Sequence, residues 1–387
     1  MEPAHQVGRP SAGRGGARLR VALDVTAAAQ GAGIGRYTRG LAAALVSRGT
    51  HDFIGFSTDR SVFHSGVLDG RMKTAAPPLS TRWMWRLWHR IGLRWPVETW
   101  TGPIDVFHAT DFLLPPLRSA GGVVTIHDLT FLVCPDRADP GLARYLRRRV
   151  PAAVSTARHV LADSRATKRD LVELMGVPSA KITVAYPGIE ADFATGTGSD
   201  HVADCRARYV LPGPFLLGVG TLEPRKNWPD LIRAFEAAAI EGVTLVIAGA
   251  PGWGAREVEQ AAWTARAPVR LLGHLPEEDL RALYHGAMGF AYISQYEGFG
   301  YPPIEAMACG CPCLTSDGGS LAEVVGDAAL VVPVGDEAAV VEGLRQLVGN
   351  AELRERLRAA GPEQAARYRW DVTAAVVEHA YLRSRAV

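Results

Sequence analysis

The sequence predicts an α/β protein made of two Rossmann-like domains facing each other across a cleft. Three observations carry this prediction. Short apolar runs of strand length alternate with helical lengths along almost the whole chain, the pattern of parallel βαβ units. The alternation restarts near residue 215, after a polar, glycine-containing stretch at 195–199 that reads as a linker. The 387 residues suffice for two cores, and 48% hydrophobic with 21% charged residues is an ordinary globular composition.

Composition also excludes some classes. A formal net charge of +2 gives no global pull toward nucleic acid, so an anionic partner has to be met by a local patch. The longest apolar runs, such as 243–248, are too short to span a bilayer. Residues 1–20 are rich in Gly, Arg and Pro without an apolar segment, so residues 1–18 are expected to be a disordered tail and not a signal peptide or anchor. Five cysteines, an odd number with no secretion signal, suit a reducing cytoplasm. Cys309, Cys311 and Cys313 lack the second Cys or His pair of a structural zinc site and read as small buried residues, so no metal is expected.

The first domain is expected over 19–195. A strand at 19–25 leads to Gly31, Gly33 and Gly35, which open a helix predicted at 36–48. Tyr37 and Thr38 stand where a nicotinamide-binding fingerprint continues toward its third glycine, so that cofactor is not expected. A second strand falls at 51–57. Residues 81–100 then interleave Trp83, Trp85, Trp88, Trp95 and Trp100 with Arg82, Arg86, Arg90 and Arg94, four apart and so on one helix face. Such a helix suits anionic lipid or an acidic acceptor, or else packs its tryptophans inward and turns its arginines to water. Strands at 104–109 and 122–126 deliver His108 with Asp111, and His127 with Asp128. Ligands of open α/β sheets bind beyond the carboxyl ends of strands, so all four are expected at the cleft. The helix at 140–154 carries Arg144, Arg147, Arg148 and Arg149, by default a solvated face. A strand at 160–162 ends at Asp163 and Ser164, the latter placed to cap a helix at 165–175. A strand at 181–185 closes the domain.

The second domain is expected over 196–369, with strands at 215–219, 244–248, 269–272, 289–293, 312–315 and 329–332. Arg225 and Lys226 lie side by side between the first strand and a helix at 228–239, two cations where a helix dipole already favours anions. His274 and Leu275 follow the third strand. The run Glu297, Gly298, Phe299, Gly300 then precedes Pro302-Pro303 and a helix at 304–309 with Glu305 in its first turn. The glycines let backbone N–H groups approach a ligand, and two carboxylates eight residues apart converge on the positive end of a helix. That arrangement suits a polyhydroxylated, anionic ligand.

The run EGFGYPPIEAMACG at 297–310 resembles the donor-site signature of glycosyltransferase family 4, retaining enzymes of GT-B fold. GIGRY at 33–37, TIHDLTF at 125–131 and EPRKN at 223–227 resemble further family motifs in family order, so the resemblance covers nearly the whole chain after the tail. It implies that the Gly33 and Gly35 loop closes on a donor diphosphate, that Arg225 and Lys226 clamp it, and that His127 contacts the donor sugar. The nucleobase would lie by His274 and Leu275. Glu297 with Gly298, Phe299 and Gly300 would hold hydroxyls of the transferred sugar, and Glu305 those of the ribose. The resemblance thus assigns catalysis to His127, Glu297, Arg225 and Lys226, and leaves an acceptor-side role to His108, Asp111 and Asp128.

The implied reaction is hexosyl transfer with retention, and no cofactor beyond the nucleotide-sugar is implied. It needs no metal, in keeping with the lack of any Asp-x-Asp tripeptide. GTLEPRKN at 220–227 and TIHDL resemble mannosyltransferase-like members, which favours GDP-mannose as donor and a glycan, lipid-linked saccharide or small-molecule hydroxyl as acceptor. A UDP-sugar-dependent enzyme of natural-product biosynthesis and a sugar-nucleotide 2-epimerase are the alternatives; the complete signature speaks against the epimerase. A non-catalytic descendant would have lost charged site residues, and none is missing. Residues 370–387 are expected to form a helix crossing back to the first domain. The implied location is the cytoplasm, with peripheral contact at the inner face of the membrane through 80–100 and Arg147 to Arg149. No nucleic-acid partner is implied, and the oligomeric state is left open.

Overall fold

The computed structural model describes residues 18–385 except 32, 67 and 69. The tail expected over 1–18 therefore lies, apart from Arg18, outside the described residues. β1 (Arg20–Asp24), β2 (Asp52–Phe56), β3 (Lys73–Ala75), β4 (Val106–Ala109), β5 (Gly121–Ile126), β6 (His159–Ala162) and β7 (Ile182–Val184) form one parallel sheet in the order β3-β2-β1-β4-β5-β6-β7. β8 (Phe215–Val219), β9 (Thr244–Ala248), β10 (Val269–Gly273), β11 (Gly289–Tyr292), β12 (Cys313–Ser316) and β13 (Leu330–Val332) form a second, in the order β10-β9-β8-β11-β12-β13. The strand order reverses between β1 and β4 and between β8 and β11, and the crevice beyond those carboxyl ends is where such folds bind ligands. The central strands are buried on both faces, which is why they read as unbroken apolar runs.

The short edge strand β3 was absent from the sequence reading, and three helices start at places other than those expected, each for a local reason. The first helix runs Gly33–Arg48 and so begins at Gly33, not Arg36. Gly35 is needed there for packing: a Cβ on it would lie 2.1 Å from the Gln30 carbonyl oxygen and 2.7 Å from that of Ala27. The helix Tyr301–Ala308 likewise starts early, directly after Gly300 at φ +93°, so both prolines occupy its first turn. The helix Ser199–Arg208 takes over the end of the expected linker.

In the tryptophan-rich segment, the helix Thr81–Trp85 widens into π-turns over Arg86–Ile91 and stops at Gly92, φ +76°. Trp88 is buried among Phe56, Trp85 and Trp100, ring centres 6.2–6.5 Å away, and its indole donates to the Trp95 carbonyl at 2.9 Å. Most of the tryptophans therefore serve the core. Trp83, Ile91 and Leu93 remain exposed beside Arg82, Arg90 and Arg94.

The C-terminal helix Trp370–Ser384 returns to the first domain, against the helix Gly33–Arg48 and strands β5 and β6. Trp370 lies so close that a Cβ on Gly40 or Gly188 would come within 2.2 or 2.3 Å of it. Beneath this helix sits His108, which the structure does not bring to the cleft. Its ring is fully buried, with Nδ1 2.8 Å from the Tyr381 hydroxyl and Nε2 2.8 Å from the Thr125 hydroxyl. Burial, helped by nearby His127, pushes its pKa down to about 3, so it is a neutral structural residue and not an acceptor contact. Tyr381→Phe strands a buried ring nitrogen and should cost about 1–3 kcal/mol, read as a lower urea midpoint at unchanged slope.

Candidate active site

Glu297 is the centre of the second domain's half. Its loop leaves β11, and the loop carrying Arg225 and Lys226 leaves β8, the adjacent strand; that is how residues 71 and 72 positions apart meet. One carboxylate oxygen accepts from Lys226 Nζ at 2.6 Å, Ser294 Oγ at 2.6 Å and Tyr292 Oη at 2.8 Å. The other accepts from Arg225 at 2.7 Å, and Arg225 also pairs with Glu223 at 2.8 Å. Gln295 N–H and Ser294 Oγ both donate to the Arg225 carbonyl, at 2.8 and 3.0 Å, which fixes the two loops together. Burial opposes ionisation of Glu297, but Arg225 and Lys226 outweigh it and hold the carboxyl well below the ordinary carboxylate range. Lys226 is pulled below its ordinary value by burial and by Arg225.

Glu305 lies in the helix Tyr301–Ala308 and is 3% exposed. It accepts from the Tyr284 hydroxyl at 3.0 Å and pairs with Arg36 of the first domain, which also holds Glu190 through Nε at 2.8 Å. The Arg36 guanidinium lies over the rings of Phe193 and Tyr301, 4.9 and 5.1 Å from their centres. Burial, then Glu190, raise the Glu305 pKa even against Arg36. Gly33 faces the Tyr301 ring, 3.8 Å from where its Cβ would be, so the amino ends of two helices, each with first-turn N–H groups lacking intrahelical partners, meet across the cleft. Sequence reasoning assigned the glycines here and missed Arg36. The signal was present: a cation in the first turn of a helix opposes the dipole and calls for a nearby anion.

His127, at the end of β5, donates from both ring nitrogens, Nδ1 to Asp163 at 2.7 Å and Nε2 to the Thr110 carbonyl at 2.8 Å. Burial works against the charged ring, but the charge and hydrogen bond of Asp163 prevail and raise its pKa to about 9. Asp163 was read only as the residue before a helix cap, although the strand-end rule applied to β6 marks it too. It is the backbone carbonyl of His127 that faces the second domain. A Cβ on Gly298 would sit 1.8 Å from that oxygen, so Gly298 is required by the close approach of the two chains. Thr167 Oγ1 donates to the same carbonyl at 3.2 Å.

The remaining expected residues are placed by their own elements. Burial raises the pKa of Asp111, against the pull of His127, and Asp128 accepts from Thr130 N–H at 2.9 Å. Phe299 is packed between Tyr301 and Tyr368, and a Cβ on Gly300 would lie 2.6 Å from Leu321. His274 is exposed past β10, an edge strand, with Leu275 buried beside it. Cys309, Cys311 and Cys313 are core residues; the thiols of Cys309 and Cys313 donate to the carbonyls of Phe193 and Pro303 at 3.3 and 3.7 Å.

Known proteins match this chain in two blocks. The profile described as Glycosyltransferase Family 4 matches residues 31–193, and that described as Glycosyl transferases group 1 matches 210–364. O-antigen chain mannosyltransferase B of Escherichia coli is 30% identical over 275 residues, 69% of this chain and 71% of that one. Serotype-specific mannosyltransferase WbdA of Escherichia coli is 30% identical over 274 residues, 65% of this chain but only 32% of that longer protein. Sucrose-phosphate synthase from Thermosynechococcus elongatus has the same fold, with a TM-score of 0.73 at 21% identity, over 95% of this chain and 99% of that one.

The His127–Asp163 pair gives stability a defined pH dependence. Because the folded pKa of His127, about 9, lies above its ordinary 6.5, the stability that its charge contributes is full at pH 6.5 and is lost as pH rises through 9, while burial raises the Asp163 pKa against the pull of His127 and so sets the acid limit of the pair. Chemical denaturation across that window should show a decline on the order of 3 kcal/mol. Asp163→Asn should be less stable at neutral pH and show a flatter profile; an unchanged profile would rule the pair out.

Proposed function

The chain belongs to glycosyltransferase family 4, and from that premise we propose that it transfers mannose from GDP-mannose, without a metal and with retention, to a hydroxyl of a glycan, lipid-linked saccharide or small molecule. The observation that carries this reading is Glu297 buried against Arg225 and Lys226 next to two facing helix amino ends. Both cations are already aimed at one point, where an entering diphosphate competes with Glu297 for them. The diphosphate settles against Arg225, Lys226 and the first-turn N–H groups of Gly33, Ile34 and Gly35, which neutralise the charge that grows on it as the sugar leaves. Glu297 then accepts sugar hydroxyls. Glu305, exchanging Arg36 for the ribose, accepts the ribose hydroxyls.

In the reaction the anomeric carbon breaks its bond to the diphosphate oxygen and forms one to the acceptor oxygen on the same face. The acceptor proton passes to the leaving phosphate oxygen, so no side-chain nucleophile is needed. The Gly298 backbone and the His127 carbonyl border the reacting region, and the charged His127 ring adds positive potential beneath it. Closure of the domains excludes water. The mannosyl donor is supported by the similarity to O-antigen chain mannosyltransferase B and WbdA. A UDP-sugar donor is the second reading, because His274 and Leu275 do not by themselves fix the base.

Among the described residues no helix is long and apolar enough to cross a membrane. The proposed location is the cytoplasm, with Trp83, Ile91 and Leu93 beside Arg82, Arg90 and Arg94 touching the inner face of the membrane.

Calorimetric titration with GDP and with UDP, each with and without chelator, tests the donor. Tight GDP binding indifferent to chelator is expected; a UDP preference replaces the donor, and binding of neither overturns the site. Glu305→Ala and Lys226→Ala should each weaken nucleotide binding roughly 10- to 150-fold. His127→Ala should keep nucleotide affinity and slow transfer. An α-linked product, seen in its anomeric proton spectrum, is expected from the α-linked donor.

A further inference from the structure

A cavity of about 560 Å³ is lined by residues of both domains. One wall is the helix Pro140–Thr156 with Arg144, Arg147 and Arg148; the other is Trp253, in the loop after β9; Pro135 and Asp136 lie between them. Both walls are continuous with the reaction centre. Arg147 Nε donates to the Phe131 carbonyl at 2.7 Å, in the turn that follows His127 and Asp128. The Trp253 loop packs on the loop that carries Arg225: a Cβ on Gly252 would lie 2.8 Å from the Leu222 carbonyl oxygen, and one on Gly254 2.6 Å from Pro224.

The chemistry of the walls selects a ligand. Three guanidiniums face a single carboxylate, that of Asp136. Among the described residues neither Arg144 nor Arg148 has an ion-pair partner, and Arg147 spends only its Nε on the protein. A cleft with that surplus attracts a dianion, and planar guanidinium forks match phosphate oxygens two at a time. Trp253, 44% exposed, offers an apolar ring face of the size of a sugar. We infer that this cavity is an acceptor subsite for a saccharide bearing a phosphate or diphosphate, with the anion on Arg144, Arg147 and Arg148 and the sugar against Trp253. The inference rests on the glycosyl-transfer reading above and adds the class of acceptor.

The test uses the full chain saturated with GDP or UDP, whichever binds, so that the clamp at Arg225 and Lys226 is filled. Mannose 1-phosphate and mannose are then titrated separately. Mannose 1-phosphate should bind at least tenfold tighter, and the exposed double substitution Arg144→Gln/Arg148→Gln should remove that preference by about ten- to a hundredfold while nucleotide affinity holds. Trp253→Ala should weaken both probes. Equal binding of the two sugars, a preference that survives in the double variant, or glucuronate binding as tightly as the phosphosugar would overturn the inference.

If neither nucleotide binds, the donor reading falls, and the same titrations on the nucleotide-free chain still decide the cavity. Neutral vesicles carrying polyprenyl diphosphate mannose supply the last arm. Tighter binding to them than to the soluble phosphosugar supports a lipid-linked acceptor, and equal or weaker binding supports a free one.

Discussion

The buried ion cluster around Glu297 is the constraint on which the site depends. One carboxylate, 6% exposed, is held by an enclosed lysine and by an arginine whose side chain stays 20% exposed. Desolvating three charges costs more than it returns unless geometry and hydrogen bonds are nearly complete, and an apolar replacement would often serve stability as well. Here the geometry is complete because β8 and β11 are neighbours, and because Ser294 and Tyr292 fill the remaining lone pairs. What the cluster gains is not stability but fixed cations in a dry place, the arrangement that stabilises charge developing on a leaving group.

The second domain meets the first through polar groups of a similar kind. Arg36 reaches Glu305, the Tyr296 hydroxyl donates to Asp170 at 2.5 Å, and Glu323 accepts the Arg165 and Ala166 N–H groups at 2.8 and 3.0 Å. That last contact places a carboxylate at the amino end of the helix Arg165–Met175, where the helix dipole favours it. Each is a directional polar contact between side chains or backbone groups of the two domains. Such a seam can open and re-form without disturbing either sheet. The C-terminal helix follows the opposite rule: it is anchored on the first domain by Trp370 and by the buried Tyr381–His108 bond, so it moves with that domain.

The central strands were legible because burial on both faces writes them as continuous apolar runs, the exposed edge strand β3 was not, and the clamp was legible because cations, glycines and carboxylates were adjacent in the chain. The partners were not. His108 and His127 both stand near the ends of buried strands, and in sequence only the resemblance around TIHDLTF set His127 apart. They part company because Tyr381, 273 residues away, covers one of them, whereas Asp163 ionises the other. Gly35 also has a packing role that the sequence alone did not reveal, since a Cβ there would strike the carbonyls of Ala27 and Gln30. Arg36 and Glu190, both of the first domain, find each other 154 residues apart, and the docking of the domains then brings Arg36 to Glu305. Local pattern thus reveals where chemistry is concentrated, and tertiary register decides which member of it is free to act.

That division also separates the two glutamates of the signature. Glu297 is neutralised within its own domain, so its ionisation and position do not depend on how the domains sit. Glu305 is neutralised by an arginine from across the cleft, and burial has already lifted its pKa. If the domains part, Glu305 loses Arg36 and keeps the Tyr284 hydroxyl, which leaves one carboxylate oxygen open to a new partner. In the proposed reaction the ribose is that partner. The nucleotide therefore binds by exchange at both carboxylates, but at Glu297 it competes with a fixed cluster and at Glu305 with the closed form of the protein itself. Donor occupancy and domain position are coupled through Glu305, and the strength of that coupling is set by what Arg36 gains from Glu190 once Glu305 has let it go.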